Sequence, residues 1–315
     1  MMNGYESLKI AIVQHSPSFL NLDESIAKAE QYIEEAAKNE AGLIVFGETW
    51  FCGYPAWIDY VPEIALWGYE PTQELYVKML KNGLCVEEAP FRHLCSLAKK
   101  HNAMLIAGAN EVVKQGYGNG TIFNSLFFIN QEGVLVNHHR KLMPTFTEKL
   151  LYGTGDGHGL KTMSSKYGNI GGLICWEHWM PLTRQSLHLE NETIHVAVWP
   201  AVKEVHQLAS RNYAFEGRCY VIAAGQILKV SDLPDILTLP KELKKNPDKY
   251  VLNGGSCVIA PNADFILEPQ FDIEDIIYVT IDDWEAVLRE KITLDVSGHY
   301  SRPDVFQMKV NKQRL

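Results

Sequence analysis

Short apolar runs, each about the length of one strand, recur along this chain and alternate with stretches of helical spacing. Leu8–Gln14, Leu43-Ile44-Val45-Phe46, Ala103–Val112, Asn169–Cys175, Ile194–Trp199, Val221–Ile227 and Ile276–Ile281 read as strands. Between them, after a cap at Asn21 or Asp23, Ile26, Ala29, Ile33 and Ala37 return at helical spacing, and Gly42 is expected to close that helix. Further helices are predicted near Thr72–Asn82, Pro90–His101, Pro181–Leu189, His206–Tyr220 and Asp283–Lys291. Two hairpins complete the pattern. One joins Thr121–Ile129 to Val134–His138 through Asn130–Gly133, and the other joins Ser256–Ala260 to Phe265–Leu267. Strands with helices between them indicate a mixed, layered α/β architecture. No composition break and no internal repeat divides the chain, so one domain over residues 1–315 is expected. Ser231–Tyr250 reads as a long exposed loop and residues 292–315 as an irregular tail.

The bulk properties narrow the function classes. A net charge of −9 and a pI near 5.7 argue against a nucleic-acid or anionic-membrane footprint. No apolar run approaches the ~18 residues of a membrane span. Met1–Leu8 lacks the basic and apolar regions of a secretory signal, and a cytoplasmic location is the expectation. The six cysteines are scattered, without a Cys-x-x-Cys, and are expected to be reduced.

Three apolar runs end in reactive side chains: Glu48 after Val45-Phe46-Gly47, Lys141 in His139-Arg140-Lys141-Leu142-Met143-Pro144-Thr145, and Cys175 after Gly171-Gly172-Leu173-Ile174. Strand ends hold such groups rigidly, as catalysis requires. A free thiol of pKa ~8.5 needs a base or cation to become a nucleophile. Lys141 is suited to stabilise the thiolate and Glu48 to take its proton. The run Trp176-Glu177-His178-Trp179-Met180-Pro181 predicts a tight turn from strand to helix, exposing the sulfur and aiming backbone N–H groups at a developing anion. Taken singly, residue types leave other accounts open: a structural cysteine, a strand-end carboxylate, a solvated basic cluster at His138–Lys141.

Together, Glu48, Lys141 and Cys175 resemble the Glu–Lys–Cys triad of the carbon–nitrogen hydrolase (nitrilase) superfamily, in the same chain order. The resemblance runs from about Ile10 to Val305. Cys175-Trp176-Glu177, His139–Thr145 and Gly298-His299-Tyr300-Ser301-Arg302-Pro303-Asp304-Val305 resemble the nitrilase branch in particular. It implies a four-layer α-β-β-α sandwich, hydrolysis of a nitrile to acid and ammonia through a thioimidate and a thioester, and no metal or organic cofactor. It also implies that Glu148 is a second glutamate, positioning substrate and water. A homo-oligomer is implied as well, here a dimer or modest closed assembly. Three positions depart from the pattern: Gly47 where Pro is frequent before the glutamate, His178 where Asn is common, and Cys52 where Pro is frequent. The backbone at Gly47 is expected to be looser for it. Tyr54, Thr145, Trp176 and Trp199 are the expected pocket walls, with Trp57 and His178 as weaker candidates.

Other chemistries lack their motifs. The eleven histidines include no His-Glu-x-x-His, and neither glycine run, Gly116–Gly120 or Gly153–Gly159, carries a phosphate-binding pattern. Sequons at Asn119 and Asn191 mean little without secretion. The same triad also serves amidases and cyanide-degrading enzymes, and a non-catalytic binding protein on this fold is the alternative from another class.

Overall fold

The computed structural model describes residues 6–314; of the segment read for a leader, residues 1–5 lie outside the described residues, as does the last residue of the tail. The first half of the chain runs β1 (Leu8–Gln14), α1 (Leu22–Lys38), β2 (Leu43–Phe51), α2 (Glu70–Asn82), α3 (Ala89–His101), β3 (Met104–Val112), β4 (Ile122–Ile129) and β5 (Leu135–Arg140). The second half runs β6 (Met163–Ser165), β7 (Gly168–Ile174), α4 (Pro181–His188), β8 (Ile194–Val198), α5 (Glu204–Gly217), β9 (Tyr220–Ala224), β10 (Ile227–Lys229), α6 (Lys241–Lys244), β11 (Tyr250–Ile259), β12 (Phe265–Phe271), β13 (Asp275–Ile281) and α7 (Glu285–Glu290).

Two sheets result. The first has the order β13-β1-β2-β3-β4-β5, and the second β10-β11-β9-β8-β7-β6 with β12 beside β11. Each is built around three parallel strands, β1-β2-β3 in one and β7-β8-β9 in the other, whose crossovers are helices. Alternate residues of one strand then serve different layers. Ile10, Ile12, Val45, Ile106, Leu126 and Phe128 share one buried cluster with Ile170 and Val196 of the opposite sheet, and a Cβ at Gly172 between them would touch Leu126 and Phe128. Their neighbours Ala11, Val13, Ile44, Phe46, Leu105 and Phe127 face Ile26 and Ile33 of α1 and Leu94 and Leu97 of α3. On the far side, Leu187 of α4 and Ala209 and Tyr213 of α5 cover the second sheet. This is the expected α-β-β-α order. Helix α1 forms where predicted, with the Asn21 side chain accepting from the Glu24 N–H. Its buried Ile26 and Ile33 each contribute roughly 1.5–3 kcal/mol by leaving water.

Several expectations need correction. The first helix ends at Lys38 with Asn39 as its cap, not at Gly42. Gly42 stays bare because a Cβ there would press on Leu8 and the Tyr167 hydroxyl. The helix predicted to reach Tyr220 stops at Gly217, where Arg218 turns left-handed. Val221–Ile227 is two strands broken at Gly225-Gln226, not one. The stretch Ser231–Tyr250 is not simply an exposed loop. Its Leu233, Leu237 and Leu239 are buried against Trp57, Ile64 and Leu75 in a third apolar cluster, with the short α6 on the outside. Leucines spaced irregularly among Pro, Lys and Asp hid that packing. No helix among the described residues is long and apolar enough to cross a membrane.

Candidate active site

Glu48 lies within β2, where the pairing with β3 shifts register between Phe46 and Phe51. Such irregularities re-aim a side chain. Two glycines make this one possible: a Cβ on Gly108 of β3 would stand 2.0 Å from the Gly47 carbonyl oxygen. Gln226 reinforces the bend, its amide donating to the Glu48 carbonyl, and its Cγ would lie 2.8 Å from a Cβ at Gly47. The backbone at Gly47 is therefore tightly enclosed, contrary to the looser arrangement expected there. Lys141 follows β5 and stays in register because its N–H donates to the Asn124 carbonyl of β4 at 2.8 Å. Cys175 follows β7 and opens a 3-10 turn, Cys175–Trp179, that leads into α4. Its φ is +56°, a left-handed conformation costing a non-glycine residue about 1–2 kcal/mol.

These ends converge. Lys141 Nζ donates to Glu48 Oε1 at 3.0 Å and to Glu148 Oε2 at 2.7 Å. Cys175 Sγ and one oxygen from each of Glu48 and Glu148 lie within 4.8 Å of one another. All four side chains are at most 2% exposed. Asn124 Nδ2 donates to Glu48 Oε1 at 2.7 Å, and the Tyr54 hydroxyl to Glu148 Oε1 at 2.8 Å. The Thr145 N–H donates to Glu148 Oε2, also at 2.8 Å. Glu48 Oε2 has no hydrogen-bond partner among the described residues and is the oxygen left to accept a proton.

Burial dominates the electrostatics. It pushes Glu48 up to about 7 against the pull of the Lys141 ammonium, with Glu148 adding to the rise. It pushes the Cys175 thiol well above its usual range, and Glu48 adds to that, while Lys141 and the Trp176 N–H favour the thiolate. Burial opposes the charge on Lys141, but Cys175, Glu48 and Glu148 hold its pKa well above the ordinary lysine value. The resting thiol is therefore protonated beside a carboxylate poised near neutrality, the arrangement a general base requires. Glu48, Glu148 and Cys175 also form a donor set for a metal ion. The Lys141 ammonium already stands among them, bonded to both carboxylates, and a metal cation would be repelled by it.

Glu177 ties the two sheets together beneath this centre. It accepts from the Leu142 N–H at 2.7 Å and the Ile174 N–H at 2.8 Å, and meets His139 Nε2 at 2.9 Å. Burial opposes its ionisation, yet His139 and those two amides hold its carboxyl below the usual range.

A cavity of about 280 Å³ opens onto Cys175. Tyr54, Thr145 and Trp176 line it as expected, although Tyr54 spends its hydroxyl on Glu148 and Trp176 is half-exposed at 46%. The sulfur is at the cavity wall of a buried residue rather than on the surface. Trp199 is not on the wall. It is fully buried, sandwiched between the rings of His178 and His206 at 4.7 Å from each. Trp57 belongs to the third apolar cluster and His178 lies beneath Cys175; neither lines the cavity. Residue reading missed Asn124, Gln226 and the cavity-lining Asp59, Lys203 and His206. Asn124 alone left a signal, as a polar residue inside the apolar run Ile122–Ile129.

Residues 9–288 match the carbon–nitrogen hydrolase family. The chain is 34% identical to an aliphatic nitrilase of Rhodococcus rhodochrous, over 96% of this chain and 79% of that one. It is 32% identical to a nitrilase of Pseudomonas syringae pv. syringae, over 97% and 90%. Among solved structures, a carbon–nitrogen hydrolase from Helicobacter pylori G27 superposes with a TM-score of 0.69 at 19% identity, covering 96% of this chain and 98% of that one, a likeness of fold. A thiol, an ammonium and two carboxylates gathered at the strand ends of such a sandwich agree with the sequence match, and the chain belongs to the carbon–nitrogen hydrolase family, in its nitrilase branch.

Proposed function

We propose that the chain hydrolyses organic nitriles, R–C≡N + 2 H2O → R–COOH + NH3, with Cys175 as nucleophile. The observation that carries this reading is the burial of Lys141 between Glu48 and Glu148, with the Cys175 thiol within 4.8 Å of both carboxylates. The nitrilases among its relatives support the substrate class. Glu48 takes the thiol proton as sulfur bonds to the nitrile carbon and passes it on to the nitrogen, giving a thioimidate and restoring its carboxylate. Lys141 and the Trp176 N–H stabilise the negative charge that develops. Glu48 then activates a water, the tetrahedral adduct expels ammonia, and a thioester remains. A second water, activated in the same way, releases the acid and restores the thiol. Glu148 positions substrate and water and balances Lys141. Tyr54, Thr145 and Trp176 shape the site, and its volume of about 280 Å³ suits a small nitrile. The whole chain acts as one catalytic domain.

The test is release of ammonia and acid from aliphatic, aryl and arylacetonitriles, cyanide and the matching amides, with Cys175→Ala as control. Acid from nitriles that vanishes in the variant is expected. Turnover of amides alone would make the chain an amidase, and no turnover with an unreactive thiol would leave a binding protein. Exposed Leu182 on α4 and Leu208 on α5 support a homo-oligomer, dimer or modest closed assembly, and light scattering on the eluted protein that found long polymers would overturn it. All six cysteines are free thiols, which supports residence in a reducing compartment such as the cytoplasm.

A further inference from the structure

The nucleophile's backbone is held from behind by a chain of buried polar groups that the proposed chemistry does not use. His178 Nδ1 lies 2.7 Å from the Cys175 carbonyl oxygen. His178 Nε2 lies 2.9 Å from His195 Nε2, and His195 Nδ1 lies 2.7 Å from Glu192 Oε1. The Tyr213 hydroxyl donates to Glu192 Oε2 at 2.6 Å. Every member is buried. Gly171 of β7 leaves room for the carboxylate, since a Cβ there would stand 1.9 Å from Glu192 Oε1.

One acceptor fixes the direction of the whole chain. The Cys175 carbonyl can only accept, so His178 Nδ1 carries a proton. One proton lies between the two facing Nε2 atoms. With His178 neutral, that proton belongs to His195, whose Nδ1 is then bare and receives a proton from Glu192. Burial first, and then the neighbouring histidines, lower His178 and His195 well below the usual histidine range. Burial raises Glu192 to about 8, so the three groups agree with the neutral assignment.

We propose that His178, His195 and Glu192 are positioning residues for the reaction: a one-way, uncharged relay of hydrogen bonds that grips the Cys175 carbonyl and thereby aims the Trp176 N–H at the reacting thiol. The Cys175 carbonyl and the Trp176 N–H belong to one planar peptide and point in opposite directions. Holding the oxygen from below turns the N–H toward the sulfur, and polarising that carbonyl strengthens the N–H as a donor. The inference rests on Cys175 and the Trp176 N–H being the reacting thiol and its donor, as in the proposed function. Loss of the Glu192 proton at high pH draws a His195 proton to Nδ1 and leaves two bare ring nitrogens facing each other. The other titratable groups around the relay are Glu216 on α5, His188 and Arg184 on α4, Cys219 before β9, and Glu177 and His139 beside His195.

The experiment combines imidazole 15N NMR of the whole protein with kinetics of three variants. At neutral pH, difference spectra against His178→Asn and His195→Gln are expected to show two neutral rings, His178 protonated at Nδ1 and His195 at Nε2. An imidazolium at either position overturns the relay. His178→Leu is expected to lower kcat roughly ten- to a hundredfold with little change in KM, less than loss of an oxyanion donor itself. It should also slow alkylation of Cys175 by iodoacetamide. His178→Asn, which keeps a donor, is expected to restore most of both. Glu192→Gln keeps both hydrogen bonds with a neutral group. It should hold most neutral-pH turnover and erase the fall in kcat as pH rises through about 8. An unchanged kcat in His178→Leu, or damage in Glu192→Gln at neutral pH equal to it, overturns the proposal. If His178→Leu does not fold, the ring tautomers and Glu192→Gln decide alone. Absence of nitrile turnover in the wild-type protein would fail the proposed function, while the tautomers and the alkylation rates still decide the relay.

Discussion

At the scale of single residues, the site works through a mismatch of burial and charge. Lys141 keeps its proton because two carboxylates flank it, and Cys175 keeps its own because nothing nearby outweighs desolvation. Glu48 sits between these extremes, raised to about 7, so the proton-accepting form is populated at neutral pH. Only the carboxylate can take the thiol proton, so turnover is expected to fall as pH drops below about 7. Glu48→Gln keeps the contacts to Asn124 and Lys141 but not the basicity. It should lower kcat by about 10²–10⁴-fold and remove that acid limb from any residual activity, read from a pH–rate profile. The grouping of Glu48, Lys141 and Cys175 was legible because each follows an apolar run. Most of the groups that hold it were not: Asn124 interrupts an apolar strand, but Gln226 and the His178–His195–Glu192 relay meet only through folding, and nothing local in the sequence distinguishes them from core polar residues.

At the scale of elements, the strands were readable and their irregularities were not. Buried strands such as β1, β3 and β7 announce themselves by continuous apolar runs. The three residues of β6 are too few and too polar for any pattern, and the bulge in β2 depends on glycines from two strands. That bulge gives a direct test. Gly108→Ala places a methyl against the Gly47 carbonyl and the Thr49 amide, both backbone atoms that cannot move aside. Thermal unfolding should show a loss of about 1–3 kcal/mol. Nitrile turnover should fall further than stability alone explains, because Glu48 rides on the displaced segment. A variant as active and stable as the wild type would show that the bulge does not aim Glu48.

At the scale of the whole molecule, burying protonated carboxyl groups makes the fold less stable as pH rises toward 8. Glu192 has a folded pKa of about 8 against an ordinary value of 4.5, so it holds its proton in the native state at pH values where the unfolded chain has lost it. Raising pH between those values removes the contribution of Glu192 to stability. Glu48 adds to the effect in the same direction. Below pH 6.5 the lowered His178 and His195 act in the opposite sense, so calorimetric melting temperatures from pH 6.5 to 9 should fall in the wild type and fall less steeply in Glu192→Gln. A flat wild-type profile would show that neither group stays protonated in the fold.

The proposed nucleophile and the carboxylate proposed to receive its proton stand on different sheets, Cys175 at the end of β7 and Glu48 on β2. The catalytic rate is therefore a ruler laid across the sandwich. In mild urea, turnover should disappear at concentrations where circular dichroism still reports intact strands, so that the chemistry registers a fraction of an ångström of slippage before spectroscopy sees any loss of form.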